Sequence, residues 1–262
     1  MAFDFTSSFS EYLSEKKYLN GNLLKNSDNQ PPQATTIVAI VYKDGVLMAG
    51  DRRATIGNLV AQNDIEKVFP ADNESIIGIA GSAGIALELV KLFQVELEHY
   101  EKIEGTQLSV VGKANRLSVL LRGNLGLAFQ GLAAIPLFAA FDKDQNKGRV
   151  FSYDVTGGRY EEHDYYAVGS GSIFAKSSLK KMYSENLDEL TSIRISLESL
   201  YDAAEEDSAT AGIDLTREIY PVVSIVNAKG YKRINDSKLN EIATKIFSER
   251  KNRPDGPIAR MS

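Results

Sequence analysis

The strongest constraint in this sequence is a stretch with almost no polar side. Residues 36–42 read Thr-Ile-Val-Ala-Ile-Val-Tyr, and after the turn residues Lys43-Asp44-Gly45 a second run, Val46-Leu47-Met48-Ala49-Gly50, is fully apolar. β-Branched and aromatic residues in short runs around a glycine-containing turn predict a hairpin. Side chains of a strand alternate between its two faces, so this hairpin needs cover on both and belongs in the middle of a stack of layers. Size permits it, because 262 residues at 43% hydrophobic are enough for one large domain with a real core.

Further strands are predicted at 65–69 and 75–80, helices at 85–102 and 108–127, and a meander at 136–141, 149–154 and 159–166. Helical patterns follow at 173–186 and 188–206, a strand pair at 220–226 and 230–234, and a closing helix at 237–250. This order suits sheets stacked face to face with helix pairs outside better than strict βαβ alternation. The predicted class is α+β, a four-layer αββα sandwich. Residues 1–34 have a different texture, polar and turn-rich with one apolar patch at Phe3, Phe5, Phe9, Tyr12 and Leu13, and read as a leader. Residues 35–250 form the single domain and 251–262, with Pro254, Gly256 and Pro257, a mobile tail.

Composition removes several chemistries. With no cysteine, the chain holds no disulfide, thiolate metal site or cysteine nucleophile, and a reducing compartment, the cytoplasm, is expected. A net charge of −5 offers no general field for nucleic acid, and no run approaches the roughly 18 apolar residues that span a membrane. His99 and His163 stand in no metal or triad spacing, and no cofactor or metal is expected. The loop Gly169-Ser170-Gly171-Ser172 precedes a helix but lacks the third glycine and the Lys-Ser/Thr of nucleotide loops.

A hydrolase built from such a chain must activate a serine, threonine or carboxylate without cysteine or a placed histidine. One available base is a main-chain amine, whose ordinary pKa of about 7.7–8.0 lies near working pH. Thr35, at the seam between leader and buried strand, becomes an N-terminal nucleophile if the chain is cut after Ala34. Taken locally, Thr35-Thr36 also reads as plain β propensity. Lys67 alternates with Ile65 and Phe69 and so shares their apolar face, although a solvated edge-strand lysine fits the same pattern.

The segments Thr35-Thr36-Ile37-Val38-Ala39, Met48-Ala49-Gly50-Asp51-Arg52-Arg53, Gly78-Ile79-Ala80-Gly81, Gly169-Ser170-Gly171-Ser172 and Asp207-Ser208-Ala209-Thr210 follow one another in a telling order. Together with Lys67 they resemble the β subunits of proteasomes, most closely the actinobacterial type. The resemblance covers residues 35 to about 234 and not the leader. It implies an N-terminal-nucleophile hydrolase in which Thr35 attacks a peptide carbonyl, Lys67 lowers the pKa of its hydroxyl, and Asp51 holds Lys67. It further implies that Gly81 supplies an oxyanion donor, that Ser170, Asp207 and Thr210 surround the Thr35 amine, and that Arg53 helps order Asp51 and its neighbours. Read alone, Asp51 fits a turn or cap and Gly81 a turn glycine. Substrate contacts would come from Ala54, Thr55, Ile79, Ala83 and Leu87, with Ile65 and Phe69, an apolar set without a buried carboxylate or lysine that implies cleavage after hydrophobic residues. Ile65 and Leu87 also read as ordinary core positions.

The family assembles as seven-membered β rings flanked by α rings, so the implied partners are α subunits, other β subunits, an ATPase unfoldase and proteins tagged by a ubiquitin-like modifier. Two departures stand out. Threonine replaces the commoner serine at 210 and keeps the hydroxyl, while Ala34 replaces the glycine usual before the nucleophile, which crowds attack on its carbonyl and implies slow or blocked maturation. Other readings are a precursor-locked or structural ring subunit, a shorter two-ring bacterial relative, and a small-molecule amidohydrolase of the same fold.

Overall fold

The computed structural model describes residues 35–56 and 59–257. The expected leader, Ala34 and the last five positions lie outside the described residues. Twelve strands are described: β1 (Thr36–Tyr42), β2 (Gly45–Gly50), β3 (Ala54–Ile56), β4 (Leu59–Gln62), β5 (Val68–Asp72), β6 (Ser75–Gly81), β7 (Ala134–Asp142), β8 (Lys147–Tyr153), β9 (Arg159–Glu162), β10 (Tyr165–Gly169), β11 (Val222–Asn227) and β12 (Gly230–Arg233). The helices are α1 (Ala83–Glu104), α2 (Val110–Gly123), α3 (Leu125–Ala128), α4 (Ser172–Met182), α5 (Glu189–Glu206) and α6 (Asp236–Asn252).

Two five-stranded antiparallel sheets, ordered β10-β1-β2-β11-β12 and β5-β6-β7-β8-β9, lie face to face. Helices α1 and α2 cover the outer side of the second sheet, and α4, α5 and α6 that of the first. The apolar run of β1 divides between two of the three cores this creates. Val38, Ile40 and Tyr42 pack towards the helices, while Ile37 and Ala39 pack between the sheets. The αββα expectation therefore holds, for the reason the sequence suggested.

Several boundaries differ. Residues 159–166, expected as one strand, split at His163-Asp164: β9 pairs with β8 in one sheet and β10 with β1 in the other. The Asp164 carbonyl accepts from Val41 N at 2.7 Å and anchors the crossing. The strand expected at 65–69 is Val68–Asp72, an edge strand whose Pro70 needs no ladder donor. Lys67 stands at its mouth, with its carbonyl accepting from Ile79 N at 3.1 Å. The helix expected over 108–127 breaks at Asn124, and the one expected to reach 186 ends at Met182, where Tyr183 turns extended. The hairpin β3–β4 had no forecast, and its Ile56, Leu59 and Val60 are exposed. The boundary placed after residue 250 is too early, because α6 continues to Asn252 and Arg250 Nη1 then donates to the Pro254 carbonyl at 2.9 Å. Residues 251–257 are thus tied to the domain rather than a loose tail.

Candidate active site

Thr35 immediately precedes β1, where the two sheets open, and is only 5% exposed. Its carbonyl accepts from Ser170 N at 3.0 Å, which ties the start of β1 to the loop leaving β10. The sheet register makes this unavoidable, since Thr36 pairs with Gly169 and Ile37 with Gly50. The ends of β1, β2 and β10 thus arrive together, carrying Thr35, Asp51 and Ser170. Gly169 has φ +102°, and a Cβ there would lie 1.8 Å from the Thr35 carbonyl oxygen, so only glycine allows the approach.

Asp51 lies just past β2 and is 1% exposed. Its Oδ1 accepts from Lys67 Nζ at 2.7 Å and from Thr36 N at 2.8 Å. Its Oδ2 accepts from Arg53 N at 2.9 Å and Ala211 N at 3.0 Å. A buried carboxylate is tolerable only when so fully engaged. Lys67 also donates to the Arg53 carbonyl at 2.5 Å. Burial pushes its ammonium below the ordinary lysine value, and the neighbouring Asp51 carboxylate pulls against that shift. The inward-facing alternative for Lys67 is the one observed, at 6% exposure.

A second carboxylate organises the other flank. Asp207 Oδ2 accepts from Ser170 Oγ at 2.5 Å and Thr210 Oγ1 at 2.6 Å, while Oδ1 accepts from Ala209 N at 3.0 Å. Burial raises its carboxyl, but the Ser170 and Thr210 hydroxyls, the Ala209 N–H and the Lys67 charge outweigh burial and hold it below the usual aspartate value. Arg53 touches Asp51 only through its main chain. Its guanidinium donates instead to the carbonyls of Ser208 at 3.0 Å and Thr210 at 3.3 Å, bracing the 207–210 turn.

Thr36, which the sequence marks only as part of a β-prone Thr-Thr pair, is a junction in the structure. Its fully buried Oγ1 accepts from Gly171 N at 3.0 Å and lies 2.6 Å from Thr210 Oγ1. Because Thr210 gives its proton to Asp207, Thr36 must donate to Thr210, and an unbroken hydrogen-bonded line runs from Gly171 through Thr36 and Thr210 to Asp207. The available signal was a hydroxyl inside an otherwise apolar strand. The Ala211 N–H is a second unforeseen participant, and a main-chain donor leaves no sequence trace.

Two cavities meet at this point, and Thr35 and Gly81 line both. The narrow one is walled by Ala54, Ile65, Phe69, Ile79, Ala83 and Leu87, the set expected from the sequence. Glu66 and Lys67 join that wall too, contrary to the expectation of a purely apolar lining, because residues 65–67 run as irregular chain rather than an alternating strand. Glu66 is paired with Arg233 at 2.7 Å. Thr55 does not line the cavity and pairs with Val60 in the β3–β4 hairpin. The wider cavity, about 510 Å3, lies on the side of Ser170, Tyr166 and Lys176. Gly81 has φ +115°, and a Cβ there would meet the Ala133 carbonyl oxygen at 2.2 Å. His99 and His163 are exposed and line neither cavity.

Comparison with known families agrees with this geometry. Residues 32–215 match the proteasome subunit family. The chain belongs to that family. It is similar to a proteasome subunit beta of Acidothermus cellulolyticus, 55% identical over 96% of this chain and 90% of the relative, and to one of Streptomyces griseus, 52% identical over 97% and 92%. These relatives place it among the β-type proteasome subunits, whose activity is that of a threonine endopeptidase. Its αββα stack is the N-terminal-nucleophile hydrolase sandwich.

Proposed function

We propose that Thr35 is the nucleophile of this endopeptidase and is released by a cut after Ala34. The observation that carries the reading is the meeting of two cavities at Thr35 and Gly81, beside the buried Lys67–Asp51 pair. The Thr35 hydroxyl attacks the scissile carbonyl and passes its proton to the freed Thr35 amine, directly or through water. The C–N bond breaks, the leaving amine takes that proton, and an acyl ester stays on Thr35 until water hydrolyses it. Lys67, charged and aimed by Asp51, stabilises the developing alkoxide. The Gly81 N–H is the donor for the carbonyl oxygen as it becomes an oxyanion. Ser170, Thr210 and Asp207 orient the Thr35 amine, and Arg53 braces their turn.

The narrow cavity takes the side chain before the cut. Its wall of Ala54, Ile65, Phe69, Ile79, Ala83 and Leu87 favours an apolar residue, with Leu87, 39% exposed, at the rim where rotation admits a larger group. Thr55 lies outside that wall, on the hairpin beside Ala54, and would meet only the substrate backbone. Membership of the family implies assembly with α and other β subunits. An ATPase unfoldase and proteins tagged by a ubiquitin-like modifier are the partners that suit a closed chamber, in the cytoplasm. A purely structural ring subunit has no use for a lysine buried at 6% exposure, which costs stability unless its position is needed.

The test is a library of fluorogenic peptides given to rings assembled with α subunits, alongside an electrophilic peptide whose adduct is mapped by mass. Cleavage after apolar residues and an adduct on Thr35 are expected. Preference for basic residues, or an adduct on another side chain, overturns the assignment.

A further inference from the structure

The wider cavity is walled by Thr35, Gly81, Ser170 and the two aromatic rings of Tyr153 and Tyr166, and at about 510 Å3 it is large enough for a short peptide segment. Lys176 is the one charged side chain among its described lining residues. The Lys176 Nζ lies 4.5 Å from the centroid of the Tyr166 ring, so a cation–π contact fixes the ammonium against the wall. Lys176 belongs to α4, whose Ala175 and Leu179 are buried in the core, so its backbone is anchored. No ion pair joins Lys176 to a carboxylate among the described residues. The cavity therefore presents a held, unneutralised positive charge and no negative one.

If the apolar cavity receives the side chain before the cut, the chain beyond the cut must leave Thr35 on its other side, where this second cavity lies. We infer that the wider cavity is a subsite for the substrate residues that follow the cut, and that Lys176 makes it select a carboxylate there. This rests on the reading of Thr35 as the nucleophile. The ligand is an aspartate or glutamate side chain one or two positions beyond the scissile bond. A free C-terminal carboxylate at the same distance offers the same chemistry.

The test uses rings assembled from the Ala34→Gly form, with loss of residues 1–34 confirmed by intact mass, and C-terminally amidated peptides of one sequence, with Asp, Gln or Lys at each of the two positions after the cut. A further peptide keeps Gln at both positions and carries a free terminus two residues past the cut. A partly screened ion pair predicts kcat/KM for Asp about fivefold above Gln and further above Lys. Lys176→Met should collapse this ratio and Lys176→Glu should invert it, while Lys176→Arg keeps it. Acceleration by the free terminus alone also supports a carboxylate subsite and assigns it to a chain end. Cleavage that depends on Thr35 but ignores these charges in the unaltered protein overturns this inference alone. Cleavage of none of the peptides, or equal cleavage by Thr35→Ala rings, overturns it together with the nucleophile assignment.

Discussion

Replacing Asp51 by Asn is the sharpest probe of how the site is held together. The carboxylate accepts from four donors, Lys67 Nζ and the N–H groups of Thr36, Arg53 and Ala211, two on each oxygen. An asparagine keeps one accepting oxygen and turns an NH2 group, which cannot accept, towards the other pair. Either two main-chain N–H groups or the Thr36 N–H and the Lys67 ammonium then face a donor, with Asp51 itself only 1% exposed. Unsatisfied buried donors cost about 1–3 kcal/mol each, and breaking a buried ion pair about 3–5 kcal/mol. Relaxation and proton loss from Lys67 limit the sum, so a loss of about 3 kcal/mol is expected, which lowers the melting midpoint of a domain this size by about 6–12 °C. Asp51→Ala should cost more. A double change, Asp51→Asn with Lys67→Met, removes the ammonium that has lost its carboxylate and lets the asparagine oxygen face Arg53 N and Ala211 N, so it should recover part of the stability, yet show no peptide hydrolysis. The assay is thermal unfolding of the unassembled chain at pH 7, followed by circular dichroism, with hydrolysis measured after ring assembly. An Asp51→Asn midpoint within about 1 °C of the parent, or a double variant less stable than the single one, would refute the reasoning.

Three further outcomes follow from the same geometry. Thr36→Val, which keeps shape and loses the hydroxyl, should lower kcat about tenfold with KM little changed, and Thr36→Ser should restore it; equal losses in both variants would show that the hydroxyl line to Asp207 does not position the site. Asp207 is held below the ordinary aspartate value of 3.8, so its stabilising effect is fully present above that pH and is lost as pH falls through the lowered value. Urea unfolding should therefore show Asp207→Asn less stable than the parent at pH 7, with the gap closing towards pH 3, and a gap that widens in acid would contradict the assignment. Ala34→Gly removes a methyl group from the carbonyl that Thr35 must attack and should speed processing, followed by intact mass over time; an unchanged rate means the methyl does not limit it.

The layered fold was legible because it rests on patterns that the chain repeats. The apolar run of β1 demanded cover on both faces, and the arrangement of strands before helix pairs excluded a simple parallel sheet. What the sequence hid was irregular chain. Residues 65–67 break the period-two alternation just where Lys67 enters the site, so Glu66 reaches a cavity wall that alternation would have kept it from. The split between β9 and β10 depends on where a crossing chain finds its hydrogen bond, at Val41 and Asp164, 123 positions apart. The site was visible through side chains with chemical character, Thr35, Asp51, Lys67 and Asp207, but not through the Ala211 N–H or the hydroxyl of Thr36, whose partners come from segments far off in sequence. Arg53 was legible as a residue that helps order Asp51 and its neighbours, but not the division of labour in which its N–H meets Asp51 while its guanidinium meets the 208–210 backbone.

The central claim, that Thr35 cuts its own chain and then substrates, is tested most directly by the intact mass of the chain recovered from rings formed with α subunits. The measurement is made on the Ala34→Gly form, with and without Thr35→Ala. The account predicts loss of the first 34 residues when Thr35 is present and a full-length chain when it is alanine. A full-length chain in both, a cut at another position, or the same cut without the Thr35 hydroxyl would contradict it.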